Sequence, residues 1–402
     1  MVITRFTSIS QSRRRVFNSI DPNEWQVQNR VWGYTDTQMH GGVIDDNVAF
    51  DDEGNLILIV NGDKYVGNKQ GVVNQNGTPI SVTGGQRTGA SIRSINTYGP
   101  GSFEVVMKIP SFNGICTSMW LFNYIATEEG TPDHNYEIDI EIHGTTSGNI
   151  GNLRTPLFTS WLTEGKEHQS EYKAAPTMLA DGKFHTYRID WHTGDNPYVE
   201  YYIDGVLLCT QNKYIPTNEM YLNIGCWFPN NWCGNPNFET DYAVVKSFTY
   251  KPFEGETASK ENCEQHEAGG FLNNVEIPEK NLIACGGFDY DFRNSNNVWT
   301  VTDETATVSN GSITYNGTLS QTVTMDCLGN AYKLVIEGQG NATIRVTYQT
   351  IVDGDTVEGY AEGTMGQPLT FTTPENCTQL LIQIVSDGQV TLSNVNLNYA
   401  NA

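Results

Sequence analysis

The alternation of acidic and β-branched residues from Glu137 to Glu141 is the feature that most constrains the fold. Side chains two apart on a strand share a face, so this period predicts a β-strand. Glu137, Asp139 and Glu141 would lie on one face, with Ile138 and Ile140 in an apolar layer behind them. Three like charges on one face repel each other and destabilise a strand. Stability alone therefore does not explain the pattern.

Closely spaced carboxylates have a chemical use, because each shifts the pKa of the next until one keeps a proton while another stays ionised. Cleavage of a glycosidic bond requires such a pair, an acid and a nucleophile. The alternative is the solvated face of an edge strand, which proteins charge to prevent aggregation. The flanks favour the functional interpretation: residues 114–123 form an apolar run typical of a central strand, and His143 continues the carboxylate face.

The rest of the chain repeats the pattern of short strands broken by Gly, Asn, Asp and Pro. Asp204-Gly205, between two apolar runs, predicts a tight hairpin turn. Such spacing is typical of a β-sandwich. The predicted strands of the first part are Leu56–Val60, Ala90–Ile95, Ser102–Ile109, Ser118–Asn123, Tyr136–His143, His185–Trp191, Tyr198–Ile203, Tyr221–Trp227 and Tyr242–Tyr250.

Composition changes along the chain and predicts an all-β protein of two domains. Residues 1–253 would form the larger sandwich, and the polar segment 254–286 reads as a linker or peripheral segment. Residues 287–402 predict a second, smaller β-sandwich. It would bind carbohydrate, with Trp299, Tyr315, Tyr332 or Tyr348 in a binding face, or would attach the protein to a partner.

Charge and hydropathy restrict the partners. Lys and Arg number 23 against 46 Asp and Glu, a formal charge of −23, which argues against nucleic acid and favours a neutral polysaccharide over a polyanionic one. No stretch reaches the roughly 20 apolar residues of a membrane span, and the first residues do not form a secretory signal. We expect an extracellular protein whose leader has been removed or, alternatively, a component of a phage virion.

The eight cysteines form no CxxC pair and no zinc-finger spacing. Cys116 lies in an apolar strand pattern and is expected to be a buried small hydrophobe. Disulfides could form between Cys263 and Cys285 and between Cys327 and Cys377, but the sequence does not determine the pairing.

Residues from about 17 to 250 resemble glycoside hydrolase family 16, most closely its lichenase-like branch. The matching pieces occur in the family's order and are residues 93–108, 137–141, 184–191, 202–207 and 223–234. The resemblance implies a curved jelly-roll sandwich with an open cleft and a retaining mechanism. Glu137 would be the nucleophile, Glu141 the acid/base, and Asp139 would tune the nucleophile. The two carboxyls would then have to converge to about 5–5.5 Å.

The motif has the unbulged spacing of lichenases and xyloglucan transglycosylases, whereas laminarinase-like branches carry one more residue. The chain departs from lichenases at Asn135 and Tyr136, where those enzymes have Trp-Asp, and at Ser91, where they have Glu. The expected function is an endo-acting retaining hydrolase of a β-1,3-1,4- or β-1,3-glucan. The alternatives are a transglycosylase and a non-catalytic glycan-binding or virion protein on the same fold.

The resemblance and the residue types predict a set of substrate-binding side chains. Arg93 matches the family's cleft arginine, and exposed tryptophans stack on sugar faces. Trp191 is equally compatible with the core. The predicted binding residues are Arg93, Trp120, Asn123, Tyr136, His143, Trp227 and Trp232.

No cofactor is expected. The family often binds one calcium ion near the last strand, and the matching position is close to Ala243, with Asp241 two residues away. A structural calcium ion is therefore compatible with the resemblance but has no support in the residues, and no metal ligands are assigned.

Overall fold

The computed structural model describes residues 13–16, 21, 23–30, 40–67, 69–75, 78–83, 87–144, 153–229, 232–264, 275–292, 298–327, 330–352, 355–374 and 377–400. Within these ranges the regular structure is β, apart from one 3-10 turn at Asp45–Asn47. Residue 17, where the family resemblance begins, lies outside them. The strands of the first part are β1 Arg13–Val16, β2 Trp25–Val27, β3 His40–Val43, β4 Val48–Phe50, β5 Leu56–Asn61, β6 Gln70–Gln75, β7 Thr78–Thr83, β8 Arg87–Tyr98, β9 Gly101–Lys108, β10 Cys116–Ile125, β11 His134–Ile142, β12 Leu157–Thr163, β13 His168–Tyr172, β14 His185–His192, β15 Tyr198–Ile203, β16 Val206–Gln211, β17 Met220–Trp227 and β18 Thr240–Pro252.

Most of these strands form the two layers of a sandwich, whereas β6 and β7 pair with each other in a separate two-stranded sheet. One layer, here called the cleft sheet, has the order β13-β12-β11-β10-β17-β8, with β2 on the far side of β8. The other has the order β5-β18-β9-β14-β15-β16. The layers join where Asn61 of β5 pairs with Thr88 of β8. The predicted curved all-β sandwich is confirmed.

The core lies between the layers and explains why β11 is held in place. Ile138, Ile140 and Ile142 are fully buried, on the face opposite the carboxylates. Trp191 on β14 is also core, since its ring is buried and its indole N–H donates to the Pro216 carbonyl at 2.9 Å. Burying an aliphatic side chain of this size contributes roughly 1.5–3 kcal/mol, so the apolar face anchors the strand.

The hairpin between β15 and β16 confirms the turn predicted at Asp204-Gly205. Asp204 has φ 51° and Gly205 has φ 76°. Two consecutive positive φ values are the requirement of a type I′ turn, which glycine and aspartate tolerate better than most residues.

A second sheet follows in the chain, and its buried apolar side chains are continuous with the core of the first sandwich. Its strands are β19 Thr300–Val301, β20 Thr307–Val308, β21 Ile313–Cys327, β22 Ala331–Gln339, β23 Thr343–Val352, β24 Asp355–Thr364, β25 Leu369–Thr372 and β26 Cys377–Tyr399. The long β26 pairs with β21, β22 and β23. The second β-domain predicted from composition is therefore present, while its exact boundaries stay a prediction.

The aromatic residues predicted for a binding face of this second domain are mostly core residues. Trp299, Tyr315 and Tyr332 are buried, so the prediction is wrong for these three. Their rings fill the space between strands because aromatic side chains carry the largest apolar area. Tyr348 is half-buried, and Tyr360 exposes 57% of its surface.

The cysteines do not form the first disulfide considered. Cys263 and Cys285 both carry free thiols; Cys263 lies beside the Glu219 carbonyl and Cys285 beside the Tyr290 carbonyl. Cys327 faces Cys377 across β21 and β26, but the Cys327 side chain lies outside the described part of the chain, so that pairing stays a prediction. No helix in the described ranges is long and apolar enough to cross a membrane.

The last strand of the second sheet contacts the first sandwich directly. The buried Tyr399 hydroxyl donates to the Ala180 carbonyl at 2.7 Å and lies 2.8 Å from Ser111 Oγ. Its ring stacks on Tyr332. Asn330 reaches the same Ala180 carbonyl with its amide at 3.4 Å. The two sheets are therefore joined by buried hydrogen bonds.

We expect Tyr399→Phe to lower the free energy of unfolding by about 1–2 kcal/mol, because it removes a buried hydroxyl and leaves a carbonyl less well satisfied. Denaturant unfolding followed by fluorescence measures this change. Tyr360→Phe is the matched control, since its hydroxyl is on an exposed side chain. Equal stability of both variants would show that the contact does not couple the two sheets.

Candidate active site

The carboxylate row lies on the face of the cleft sheet that points away from the core. Across β10, the pairs are Glu137 with Phe122, Asp139 with Trp120 and Glu141 with Ser118. Across β12, they are Glu137 with Trp161, Asp139 with Thr159 and Glu141 with Leu157. The pairing is regular across the whole motif on both sides. A register shift against β12 occurs just before it, between His134 and Glu137. Such a shift bends a sheet and increases its twist.

Each glutamate of the row has its own hydrogen-bond donor. The Asn135 amide donates to Glu137 Oε2 at 2.7 Å, and the Cys116 thiol donates to Glu141 Oε1 at 3.5 Å. Asp139 between them is 4% exposed, and its Oδ1 is buried and accepts no hydrogen bond. Ionising all three groups at once would leave like charges poorly solvated.

The surroundings raise the pKa of all three carboxyls. Burial raises the pKa of Glu137 to about 7, although hydrogen bonds from Asn135 and Asp139 oppose this rise. Burial and the charge on Glu137 raise the pKa of Glu141 to about 8. Burial, followed by the charges on both glutamates, raises the pKa of Asp139 well above its usual range. The row therefore holds protons near neutral pH, as general acid catalysis requires.

These shifts predict how stability depends on pH. A carboxyl whose pKa is about 4.3 in the unfolded chain and 7–8 in the folded protein binds more protons in the folded state between those values. Stability therefore falls as pH rises from about 4.5 to about 8. We expect Glu141→Gln, which cannot ionise, to have a higher Tm than the parent near pH 8 and a similar Tm near pH 5.

Thermal unfolding across this pH range measures the difference, with Glu129→Gln as the control because Glu129 is an exposed loop residue. A Tm difference that does not change with pH would contradict the proposed burial of the Glu141 charge.

Aromatic side chains stand beside the carboxylates and form a cleft of about 400 Å³. Trp227 and Trp232 meet edge to face with ring centroids 6.2 Å apart, and Trp161 stacks on His168 at 4.2 Å. All three tryptophans and all three carboxyls line the cavity. Indole rings offer flat apolar faces against which a pyranose packs. The structure thus brings the predicted Trp227 and Trp232 to the carboxylates.

Arg93 and Trp120 lie on the carboxylate face of the cleft sheet, and they differ in their neighbours. Trp120 is 5% exposed and pairs with Asp139 on one side and Asn223 on the other. Arg93 is in register with Asp139 across three strand spacings, roughly 14 Å away. It donates to Gln26 Oε1 at 2.7 Å, and burial lowers its pKa to about 10. The Nε of Arg93 is buried without a hydrogen-bond partner.

Asn123 and Tyr136 do not line the carboxylate cavity. The buried Asn123 amide donates to the backbone carbonyls of Glu219, Glu261 and Asn262 at 2.9–3.2 Å, so it fixes the chain where β17 begins. Tyr136 has the parity of the isoleucines and stacks on His134 with centroids 5.2 Å apart. Alternation places both on the face opposite the carboxylates.

His143 is near the cleft, and its two ring nitrogens have partners other than Glu141. Its ring is fully buried, with Nδ1 2.8 Å from the Gly144 carbonyl and Nε2 3.1 Å from the Tyr172 hydroxyl. It meets the Trp232 ring edge to face at 4.7 Å. Burial lowers the pKa of His143. A neutral ring donating through Nδ1 fits these contacts, and it supports the Trp232 wall.

Trp161 is the cleft residue that sequence reasoning missed. It pairs with Glu137 across β11 and β12, and a hydrogen bond from its side chain opposes the rise in the pKa of Asp139. The alternation of Leu157, Thr159 and Trp161 in the sequence was a usable signal, because it matches the period of the carboxylate strand.

We expect Trp161→Ala to lower kcat/KM on a polysaccharide substrate by about 10–100-fold, since it removes both a stacking surface and a donor to Asp139. Trp161→Phe keeps a ring and loses only the donor, so steady-state kinetics should place it between Ala and the parent. Identical losses in both variants would assign the whole effect to the N–H group.

The position considered for calcium does not fit a metal ion. Asp241 is buried, and its carboxylate accepts hydrogen bonds from the backbone N–H groups of Ser111 and Tyr242, both at 2.7 Å. The Lys280 ammonium forms an ion pair with the same carboxylate. An ammonium already balances this charge, which leaves little attraction for a second cation. No cluster of three or more His, Cys, Asp or Glu side chains suited to a metal occurs in the described ranges.

Paired carboxyls beside tryptophans in the cleft of a β-sandwich form an arrangement suited to glycoside hydrolysis. Residues 61–244 match the family model for glycosyl hydrolases family 16. The resemblance predicted from the sequence is therefore confirmed over these residues, which are similar to that family.

Several named relatives are similar to this part of the chain. A β-glucanase of Paenibacillus macerans is 29% identical over 215 residues, which cover 52% of this chain and 76% of that protein. The xyloglucan endotransglucosylase/hydrolase protein 31 of Arabidopsis thaliana is 29% identical, covering 41% of this chain and 55% of that protein. A β-glucanase of Paenibacillus polymyxa is 32% identical, covering 36% and 56%. The chain thus spans only about half the length of the last two relatives.

Among solved structures, the β-glucanase of Bacillus licheniformis covers 61% of this chain and 100% of its own length, with 22% identity and a TM-score of 0.45.

Proposed function

We propose that the chain is an endo-acting retaining glycoside hydrolase of a β-1,3-1,4- or β-1,3-glucan. The observation that carries the proposal is the row of Glu137, Asp139 and Glu141 in a cleft walled by tryptophans. The β-glucanases among the relatives favour this substrate class, and an open groove along a sheet suits a chain bound at internal units.

In the first step, Glu137 would attack the anomeric carbon while Glu141 donates its proton to the leaving glycosidic oxygen. The bond to the leaving sugar breaks as the bond to Glu137 forms, which gives a covalent glycosyl-enzyme. Burial raises the pKa of both carboxyls, and the charge on Glu137 raises the pKa of Glu141 further, which supports Glu141 as the group that holds the proton.

In the second step, Glu141, now ionised, would take a proton from water as the water attacks the anomeric carbon and releases Glu137. Asp139 lies between the two glutamates on the same face. Held protonated by burial and by its charged neighbours, it would donate a hydrogen bond to Glu137 and stabilise that carboxylate as a leaving group.

Hydrolysis is measured on barley mixed-linkage glucan and on laminarin. The variants are also given laminari- and cello-oligosaccharides with activated aryl leaving groups, and the anomeric configuration of the product formed with azide is determined. Glu137→Ala lacks the nucleophile, so azide attacks directly and gives the α-glycosyl azide. Glu141→Ala still forms the intermediate, so azide gives the β-glycosyl azide. Both variants should lose at least about 1,000-fold in kcat on the polysaccharides without azide.

Asn123→Ser is a control with a change outside the cleft, and it should retain the parent kcat if it folds. The same azide anomer from both variants would overturn the assignment of roles. Full activity of Glu137→Ala on the polysaccharides would overturn the proposed mechanism as a whole.

Transglycosylation is a second candidate, and the similarity to a xyloglucan endotransglucosylase/hydrolase favours testing it. The same covalent intermediate would be captured by a sugar hydroxyl in place of water. Xyloglucan with a labelled oligosaccharide acceptor distinguishes the two, since transfer incorporates the label into longer chains whereas hydrolysis leaves it free.

A further inference from the structure

The thiol of Cys116 lies against the proposed acid/base. Cys116 begins β10, on the sheet face shared by the carboxylates, and pairs with Trp227 of β17. It is fully buried, and its Sγ donates to Glu141 Oε1 across 3.5 Å. In the described part of the chain, this thiol is the hydrogen-bond donor that the structure gives to the Glu141 carboxylate.

The surroundings keep this thiol protonated and in place. Burial and the neighbouring Cys233 thiol raise the pKa of Cys116 well above its usual range. Cys233 is itself fully buried, and its carbonyl accepts a hydrogen bond from the Gly114 N–H at 2.8 Å, two residues before Cys116. Because Cys116 stays an S–H group at neutral pH, it acts as a donor and adds no charge to the row.

The two glutamates have donors of unequal strength. An amide N–H at 2.7 Å is a strong donor to Glu137, whereas a thiol at 3.5 Å is a weak one to Glu141. A donor stabilises the ionised carboxylate, so the strong donor favours ionised Glu137 more than the weak one favours ionised Glu141. Ionisation is thus favoured more at Glu137 than at Glu141, as a nucleophile and a proton donor respectively require.

We propose that Cys116 is a positioning residue for Glu141: its thiol holds the carboxyl in one orientation and gives the ionised carboxylate a hydrogen-bond partner. The inference rests on the proposed role of Glu141 as acid/base. A thiol suits the task because it favours the ionised form of Glu141 less than a stronger donor would, whereas an apolar side chain would leave the ionised form without a partner.

The variant that tests this is Cys116→Val, which has a similar volume and no donor. The alkaline limb of kcat/KM against pH reports the acid of the free enzyme, and we expect this limb to move to higher pH by roughly half a unit. Cys116→Ser keeps a donor, so its alkaline limb should lie at the same pH as that of the parent or at a lower pH. Kinetics are measured with a reducing agent present.

Cys226→Val is the matched control. Cys226 is equally buried, but its thiol bonds Thr117 Oγ1 at 3.6 Å and lies on the strand position adjacent to the cleft-facing ones. It should leave the alkaline limb unchanged. If the alkaline limb of Cys116→Val lies at the same pH as those of Cys226→Val and the parent, the positioning role is wrong.

A readout that does not depend on activity separates this inference from the proposed function. The side-chain carboxyls of glutamate are labelled with carbon-13, the Glu141 signal is assigned by its loss in Glu141→Gln, and its titration is followed by NMR. A raised titration midpoint in Cys116→Val supports the thiol contact even if no glucan is cleaved. An unmoved midpoint in an active enzyme overturns the positioning role and leaves the proposed function standing.

Discussion

The partial removal of three carboxyls from water on one strand face is the constraint on which the rest of the structure depends. Glu137, Asp139 and Glu141 cannot all ionise at this spacing, because burial and their mutual repulsion raise each pKa. A strand carrying such a row is stable only if its other face is well anchored. The fully buried Ile138 and Ile140 provide that anchor, so alternation in five residues links the stability of the sandwich to the chemistry of its cleft.

The strands on either side refine this row. β10 brings Cys116 to Glu141, and β12 brings Trp161 beside Glu137 and Asp139. Neither contributes a charge, yet each influences where protons reside, since hydrogen-bond donors stabilise ionised carboxylates. Neutral neighbours thus influence which of the three carboxyls holds a proton.

Local patterns predicted much of this architecture because they report local physics. The alternation of β11, the hairpin at Asp204-Gly205 and the apolar run of β10 each follow from side-chain period or backbone freedom within a few residues. The same reasoning failed for Trp299, Tyr315 and Tyr332, which were predicted as binding residues and are buried. An aromatic residue in a strand has the same local signature on either face, and only the packing partner distinguishes them.

The sequence by itself therefore determined that the chain is all-β, that one strand carries three carboxylates on a single face, and that its family resemblance points to glycoside hydrolysis. Tertiary structure alone decided which distant residues meet that strand. Cys233 and Trp227 come within reach of Cys116, and Asn123 is turned to the backbone near β17. Contacts between strands far apart in the chain depend on sheet order and register, and these are fixed when the whole core packs, a property that no short segment contains.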